Sequence, residues 1–273
     1  MTARRPVART TRVAPGSVAT EQRPASRTTR VAPAAADRFE GFGAGALRFL
    51  RGLARNNRKE WFEAHRADYE TEIRQPLLAL IEEVDVRLAT LAPEIVGTRK
   101  SLFRIHRDVR FSKDKRPYKT HAACWFYHRD AGRAVGENAA HGGAGFYFHF
   151  APGEVFTGGG VWMPPRPALR RIRDAIAEAP EVFADLVTAP AFRRRFGGLE
   201  VEHMLTRMPR GYAPDHPAGD WLRYQSFTAG RALDDDALGS RRLVDTLIKD
   251  YTVLLPLVRW LNGVSGLPEA TQR

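Results

Sequence analysis

The segment from Arg107 to Lys119, RDVRFSKDKRPYK, is rich in side chains that bind anions. Six of its thirteen side chains are Arg or Lys and two are Asp, with Phe, Val, Pro and Tyr set between them. Guanidinium and ammonium groups match the oxygens of phosphates and carboxylates, and a Ser-Lys-Asp-Lys turn adds backbone N–H donors. The segment therefore predicts a site for a small anionic ligand, a class that includes phosphorylated compounds.

The predicted ligand-binding residues are cations and one aromatic residue of this segment, together with one arginine from a later MPRGY loop. They are Arg107, Arg110, Lys115, Tyr118, Lys119 and Arg210. We expect Asp108 and Asp114 to orient the arginines by ion pairing, because nearby positive charge lowers a carboxylate pKa and weakens it as a base. If the domain is an enzyme, Asp108 and His106 are the candidates for proton transfer, and the sequence leaves catalysis undecided.

The formal net charge of +12 is concentrated in two stretches of the chain. Residues 1–36 hold seven Arg and one Glu, and residues 103–119 hold seven basic residues and two Asp, so the remainder is close to neutral. A short basic segment in a balanced domain favours a local anion site over a long phosphate track. A nucleic-acid-associated module is the second hypothesis, and a structural or partner-binding domain with a surface ion-pair network is the third.

Other candidate sites are weaker. The eight histidines include no H-E-x-x-H spacing, although His121, His128 and His149 on neighbouring predicted strands are close enough in pattern to converge. We favour ordinary imidazoles there, and we expect no metal and no cofactor. The Gly158 to Gly160 run lacks the Lys and Ser or Thr of a P-loop, so it indicates close approach of a ligand or backbone, or a bulge.

The sequence also bears on localisation. Cys124 is the only cysteine, which excludes an intramolecular disulfide and favours a reducing compartment, so we expect a cytoplasmic protein. No apolar run reaches the roughly 20 residues that span a bilayer, so we expect no membrane partner. Arg4 and Arg5 are not followed by the apolar region of a secretory signal, but an Arg-rich leader also suits an organellar transit peptide. The oligomeric state is not predicted.

Composition divides the chain into three parts. Residues 1–37 are rich in Arg, Pro and Ala and repeat RTTRVAP at Arg9 to Pro15 and Arg27 to Pro33, which predicts a disordered leader. Residues 38–265 form the predicted single domain, and residues 266–273 form a flexible tail.

Within the domain, apolar periodicity predicts helices, then strands, then helices. Four stretches read as strands: FRIHRDVRF, HAACWFYH, GFYFHF and VFTGGGVW. A Pro-Gly turn at Pro152 joins the last two as a hairpin, and WLRYQSFT is ambiguous. We expect Pro256 to kink or divide the last helix. The pattern predicts an α+β fold, with a central antiparallel sheet and N-terminal and C-terminal helices packed on it.

Four segments of this chain resemble the domain of unknown function 2461 family, a conserved hypothetical family of bacteria and fungi. They are ARNNRKEWFEAHRADYE, FRIHRDVRFSKDKRPYKTH, GFYFHFAPGEVFTGGGVWMP and MPRGY, in this order between about Gly41 and Leu261. The basic segment is the most specific of them, and Asn57, Trp61 and Phe62 also match the family signature. The resemblance implies one folded domain and supplies no established reaction, cofactor or catalytic residue.

Overall fold

A computed structural model describes residues 38–110, 112–136, 142–267 and 269–270. The predicted leader, Phe111 and the last three residues lie outside these ranges. All helices, strands and side-chain contacts given below belong to the described residues.

The N-terminal half of the domain folds into helices. They are α1 (Ala44–Arg55), α2 (Lys59–Ala64), α3 (Arg66–Asp68), a π-helical turn (Tyr69–Arg74) and α4 (Gln75–Leu91). Asn56 ends α1 and donates its side-chain amide to the Gly52 carbonyl at 3.1 Å. Pro76 lies in the first turn of α4, where its missing N–H costs no hydrogen bond. The apolar faces of α1 and α4, including Leu50, Leu53 and Leu80, are buried in the core.

The centre of the fold is a five-stranded antiparallel sheet with its strands in sequence order. The strands are β1 (Ile95–Val96), β2 (Ala122–His128), β3 (Gly145–Ala151), β4 (Glu154–Val161) and β5 (Phe227–Leu233). The predicted hairpin is present, since Ala151 pairs with Glu154 and Gly153 in the turn has φ of +79°. The ambiguous WLRYQSFT resolves into the end of a short helix and the first residues of β5. The α+β prediction is confirmed.

The predicted strand FRIHRDVRF is wrong as a regular element. Leu102 and His106 form only isolated bridges, to Cys124 and Tyr118, and no ladder runs between them. The segment instead doubles back on itself: the Arg107 N–H donates to the Pro117 carbonyl at 2.8 Å. Proline has no N–H to return that bond, so a continuous ladder is impossible there.

The C-terminal helices begin after β4 and surround β5. They are α5 (Arg166–Glu178), α6 (Pro180–Thr188), α7 (Pro190–Phe196), α8 (Gly219–Leu222) and α9 (Arg242–Val264). Pro256 lies inside α9 without dividing it. Asp235 and Asp236 lie in the first turn of a 3-10 helix (Asp235–Gly239) that precedes α9.

The two faces of the sheet differ in what covers them. The face of Phe126, Phe146 and Gly159 packs against α9, where Tyr251 stacks on Phe146 with ring centroids 4.5 Å apart. The opposite face, here called the aromatic face, carries Trp125 of β2, Tyr147 and His149 of β3, and Phe156 and Gly158 of β4. Register places these residues side by side. Tyr147, His149 and Phe156 keep part of their surface exposed.

Candidate functional site

The basic segment is fixed to the helices through Tyr118. The Asn57 side chain donates to the Tyr118 carbonyl at 2.9 Å and accepts from the Tyr118 N–H at 3.0 Å. The Tyr118 ring is buried and stacks on Phe62 with centroids 4.3 Å apart. Tyr118 therefore acts as an anchor in the core, and its ring face is taken by Phe62.

Arg107 and Asp114 lie at the centre of the Ser-Lys-Asp-Lys turn. The Arg107 guanidinium contacts the Asp114 carboxylate at 2.7 Å and donates to the Arg116 carbonyl at 3.1 Å. Arg116 pairs with the same carboxylate at 2.7 Å. These hydrogen bonds hold the pKa of Asp114 well below its ordinary value, with the Arg116 side chain as the largest cause. The three side chains thus close the turn on itself.

Arg110 and Lys115 also contact groups of the same turn. Arg110 pairs with Asp108 at 2.7 Å, and the Lys115 ammonium donates to the Val109 carbonyl at 3.0 Å. The hydrogen bonds from Arg110 lower the pKa of Asp108 to about 2, which makes this carboxylate a poor base at neutral pH. His106, the other proton-transfer candidate, is exposed, and its ring lies at the edge of Phe62.

Lys119 leaves the turn and reaches the rim of the aromatic face. Its ammonium lies over the Phe103 ring, 5.1 Å from the centroid, and Phe103 meets Tyr147 edge-on at 6.2 Å. Burial lowers the pKa of Lys119, and the positive charges of Arg104 and Arg133 lower it further. The guanidinium groups that act on Lys119 come from two different segments, one before β2 and one after it.

His121 and His149 lie beside Lys119 on the same face. Their rings are 5.9 Å apart, and His149 Nε2 contacts Glu154 Oε1 at 3.1 Å. Burial, with smaller effects of His149 and Lys119, lowers the pKa of His121 to about 4, so its imidazole is neutral at pH 7. His128 lies at the far end of β2, about 23 Å of strand away. Two of the three predicted histidines therefore meet.

Arg210 is held by a different part of the fold. The neighbouring Tyr212 donates its hydroxyl to Asp174 of α5 at 2.7 Å, and Arg170 lies over the Tyr212 ring at 5.5 Å. Arg210 itself is exposed. The MPRGY loop is thus attached to α5, whereas the basic segment is attached to the helices before β1.

The glycine run of β4 has a structural explanation. Gly160 has φ of +125°, and a Cβ there would lie 2.0 Å from the Phe227 carbonyl oxygen. Gly158 and Gly230 lie under the Phe156 ring, so a side chain at either position would displace it. Close approach of backbone and ring requires these glycines.

The described residues show neither a metal cluster nor a membrane-spanning helix. No group of three His, Cys, Asp or Glu side chains in these ranges is arranged to hold a metal ion. No helix in them combines the length and apolar character needed to cross a bilayer.

Comparison with protein families gives one match, the family described as Conserved hypothetical protein (DUF2461), over residues 45–260. The chain belongs to this family. Searches of curated proteins and of solved structures give no match. The matched residues of this family member include the basic segment, the aromatic face and the MPRGY loop. The family description states no reaction.

Sequence reasoning selected Lys119 but missed the residues that surround it. In the sequence, Arg104 belongs to the stretch FRIHRDVRF, which is predicted as a strand, and Arg133 lies in a loop whose sequence gives no sign of where it folds. Tyr147 and Phe156 carried only strand periodicity. Tyr147 alternates in sequence with Phe146 and Phe148, so both faces of this strand carry aromatic side chains. That alternation is the signal from which an aromatic surface can be expected.

Proposed function

We propose that this domain binds a small anionic ligand at the rim of its aromatic face, with Lys119, Arg104 and Arg133 as the cations that attract it. The observation that carries the proposal is the Lys119 ammonium, which is half-buried and lies over the Phe103 ring, 5.1 Å from its centroid. The positive charges of Arg104 and Arg133 lower the pKa of Lys119, so both act on the same ammonium. Charges of the same sign repel, and more strongly where water is partly excluded, so an anion bound at Lys119 is favoured.

The remaining cations of the segment are less suited to an external ligand. Arg107, Arg110 and Arg116 each contact an aspartate of the same turn at 2.7 Å. A ligand would have to compete with these carboxylates for the same donors. We therefore assign Arg107 and Asp114 to shaping the turn, and Lys119 to binding.

Thermal unfolding in the presence of simple anions tests the proposal. Inorganic phosphate, pyrophosphate and small carboxylates should include at least one that raises the Tm of the full chain. At 100 times its Kd, a ligand stabilises by about 2.7 kcal/mol, which corresponds to roughly 5–10 °C for a domain of this size.

Two lysines of the same segment provide the matched variants. Lys119→Gln should abolish the shift, whereas Lys115→Gln should keep it, because Lys115 contacts only Val109 in the turn among the contacts described. If no anion raises the wild-type Tm, or if Lys119→Gln retains the full shift, the proposal is wrong.

A further inference from the structure

Resting on the proposed function, we infer that the anion is the phosphate of a nucleotide whose base stacks on the aromatic face. The inference concerns the region next to the cations, where three rings lie next to one another on one face of the sheet. Tyr147 and His149 have centroids 5.3 Å apart with planes inclined by 59°, and His149 and Phe156 lie 5.4 Å apart with planes inclined by 20°. Each ring is partly exposed.

Two glycines in the sheet beneath these rings leave space for the Phe156 ring to lie flat. A Cβ at Gly230 would lie 2.1 Å from Phe156 Cζ, and a Cβ at Gly158 would lie 3.0 Å from Phe156 Cε1. Phe156 therefore rests directly on the backbone of β4 and β5. Every nucleobase has a flat π face, and base stacking on aromatic side chains tolerates any base.

The order of groups along the face matches the order within a nucleotide. From the Lys119 ammonium, the path runs 5.1 Å to Phe103 and a further 6.2 Å from Phe103 to Tyr147, where the stacking surface begins. A nucleotide separates its phosphate from its base by one sugar. An inorganic anion would leave the rings unused, and an uncharged aromatic compound would leave the cations without a counter-ion.

Calorimetric titration of the full chain with matched probes tests the inference. The probes are inorganic phosphate, ribose 5-phosphate and the four nucleoside 5′-monophosphates. We expect at least one monophosphate to bind about ten-fold or more tightly than ribose 5-phosphate, as the stacking of a single base provides. Equal Kd values for ribose 5-phosphate and all four nucleotides would overturn the inference without recourse to any variant.

Substitutions at Tyr147 examine the stacking surface itself. Tyr147→Leu should reduce nucleotide affinity to the level of ribose 5-phosphate, while Tyr147→Phe should retain it. If phosphate binds in a Lys119-dependent way and the base adds no affinity, the proposed function stands and the nucleotide inference is wrong. If the wild-type protein binds no phosphate, both are wrong.

An oligonucleotide arm separates the two sources of this chemistry. An oligoadenylate of eight nucleotides that binds more tightly than AMP, with an affinity that falls steeply with salt, supports a single strand as the source. Weaker or equal binding supports a free nucleotide. A third outcome counts against base stacking: the oligomer and a non-aromatic polyphosphate of equal charge bind with equal affinity.

Discussion

The side chain of Asn57 forms hydrogen bonds with both backbone groups of Tyr118, across 61 residues of sequence. It substitutes for a neighbouring strand at the point where the segment has no regular partner. Asn57→Ala leaves a partly buried N–H and C=O unpaired, so we expect a loss of about 2–4 kcal/mol in the free energy of unfolding. Chemical denaturation measures it.

Asn56→Ala is the control for this prediction. Its amide donates only to the Gly52 carbonyl at the end of α1, so a loss near 1 kcal/mol is expected. Equal effects of the two substitutions would contradict the role assigned to Asn57.

The Asp108–Arg110 pair makes a prediction about pH. The folded pKa of Asp108 lies below that of the unfolded chain, so its ionised form favours folding above roughly pH 4, and this contribution is lost as pH falls through about 2. Arg110→Gln should raise the Asp108 pKa toward its ordinary value. Carboxyl NMR titration measures this shift directly; an unchanged pKa would contradict the assignment.

Asp250 of α9 forms ion pairs with another helix and with the sheet. Its fully buried carboxylate accepts from Arg195 of α7 and from Arg231 of β5, the latter at 3.0 Å. Asp250→Asn removes the negative charge that both guanidinium groups share, and we expect a cost of about 3–5 kcal/mol in unfolding free energy. Asp245→Asn on the same helix breaks an exposed pair with Arg87 and should cost under about 1 kcal/mol.

Substitution of Gly160 and of Gly263 by alanine should change the free energy of unfolding in opposite directions. Gly160→Ala places a Cβ against the Phe227 carbonyl at a positive φ, so it should destabilise by more than about 2 kcal/mol. Gly263→Ala lies in α9 with no atom within 4 Å of the new Cβ, and it should stabilise by up to about 1 kcal/mol. Urea unfolding of both variants distinguishes them; stabilisation by Gly160→Ala would refute the close approach.

The sequence predicted the parts of the fold whose period is regular. The long helices and β2 to β4 were recognised, because apolar side chains recur there at helical or strand spacing over seven residues or more. β1 has only two residues, too few to show a period, and it was missed. Residues 103–111 alternate in sequence like a strand, but no ladder forms, because the Arg107 N–H donates to Pro117, which has no N–H to return the bond.

The candidate site was predicted less completely than the fold. Its cations were recognised as a group, but charge spacing does not reveal which of them pair within the turn. Arg107 and Lys119 look equivalent in sequence, and only the folded segment separates the ion-paired guanidinium from the ammonium over Phe103. The positive charge of Arg133, 14 residues beyond Lys119, also lowers the pKa of that lysine, and charge spacing does not predict it.

The irregular course of residues 102–107 has a consequence for the outer edge of β2. β2 reads AACWFYH, a fully buried apolar strand of the kind that templates cross-β assembly when its outer edge is bare. Here β1 covers one end of that edge, and Leu102 with the Phe103 N–H covers the other. The residues just before the basic segment therefore cover the edge of an aggregation-prone strand. Variants that loosen these residues should form fibrils or soluble oligomers before they lose helical content.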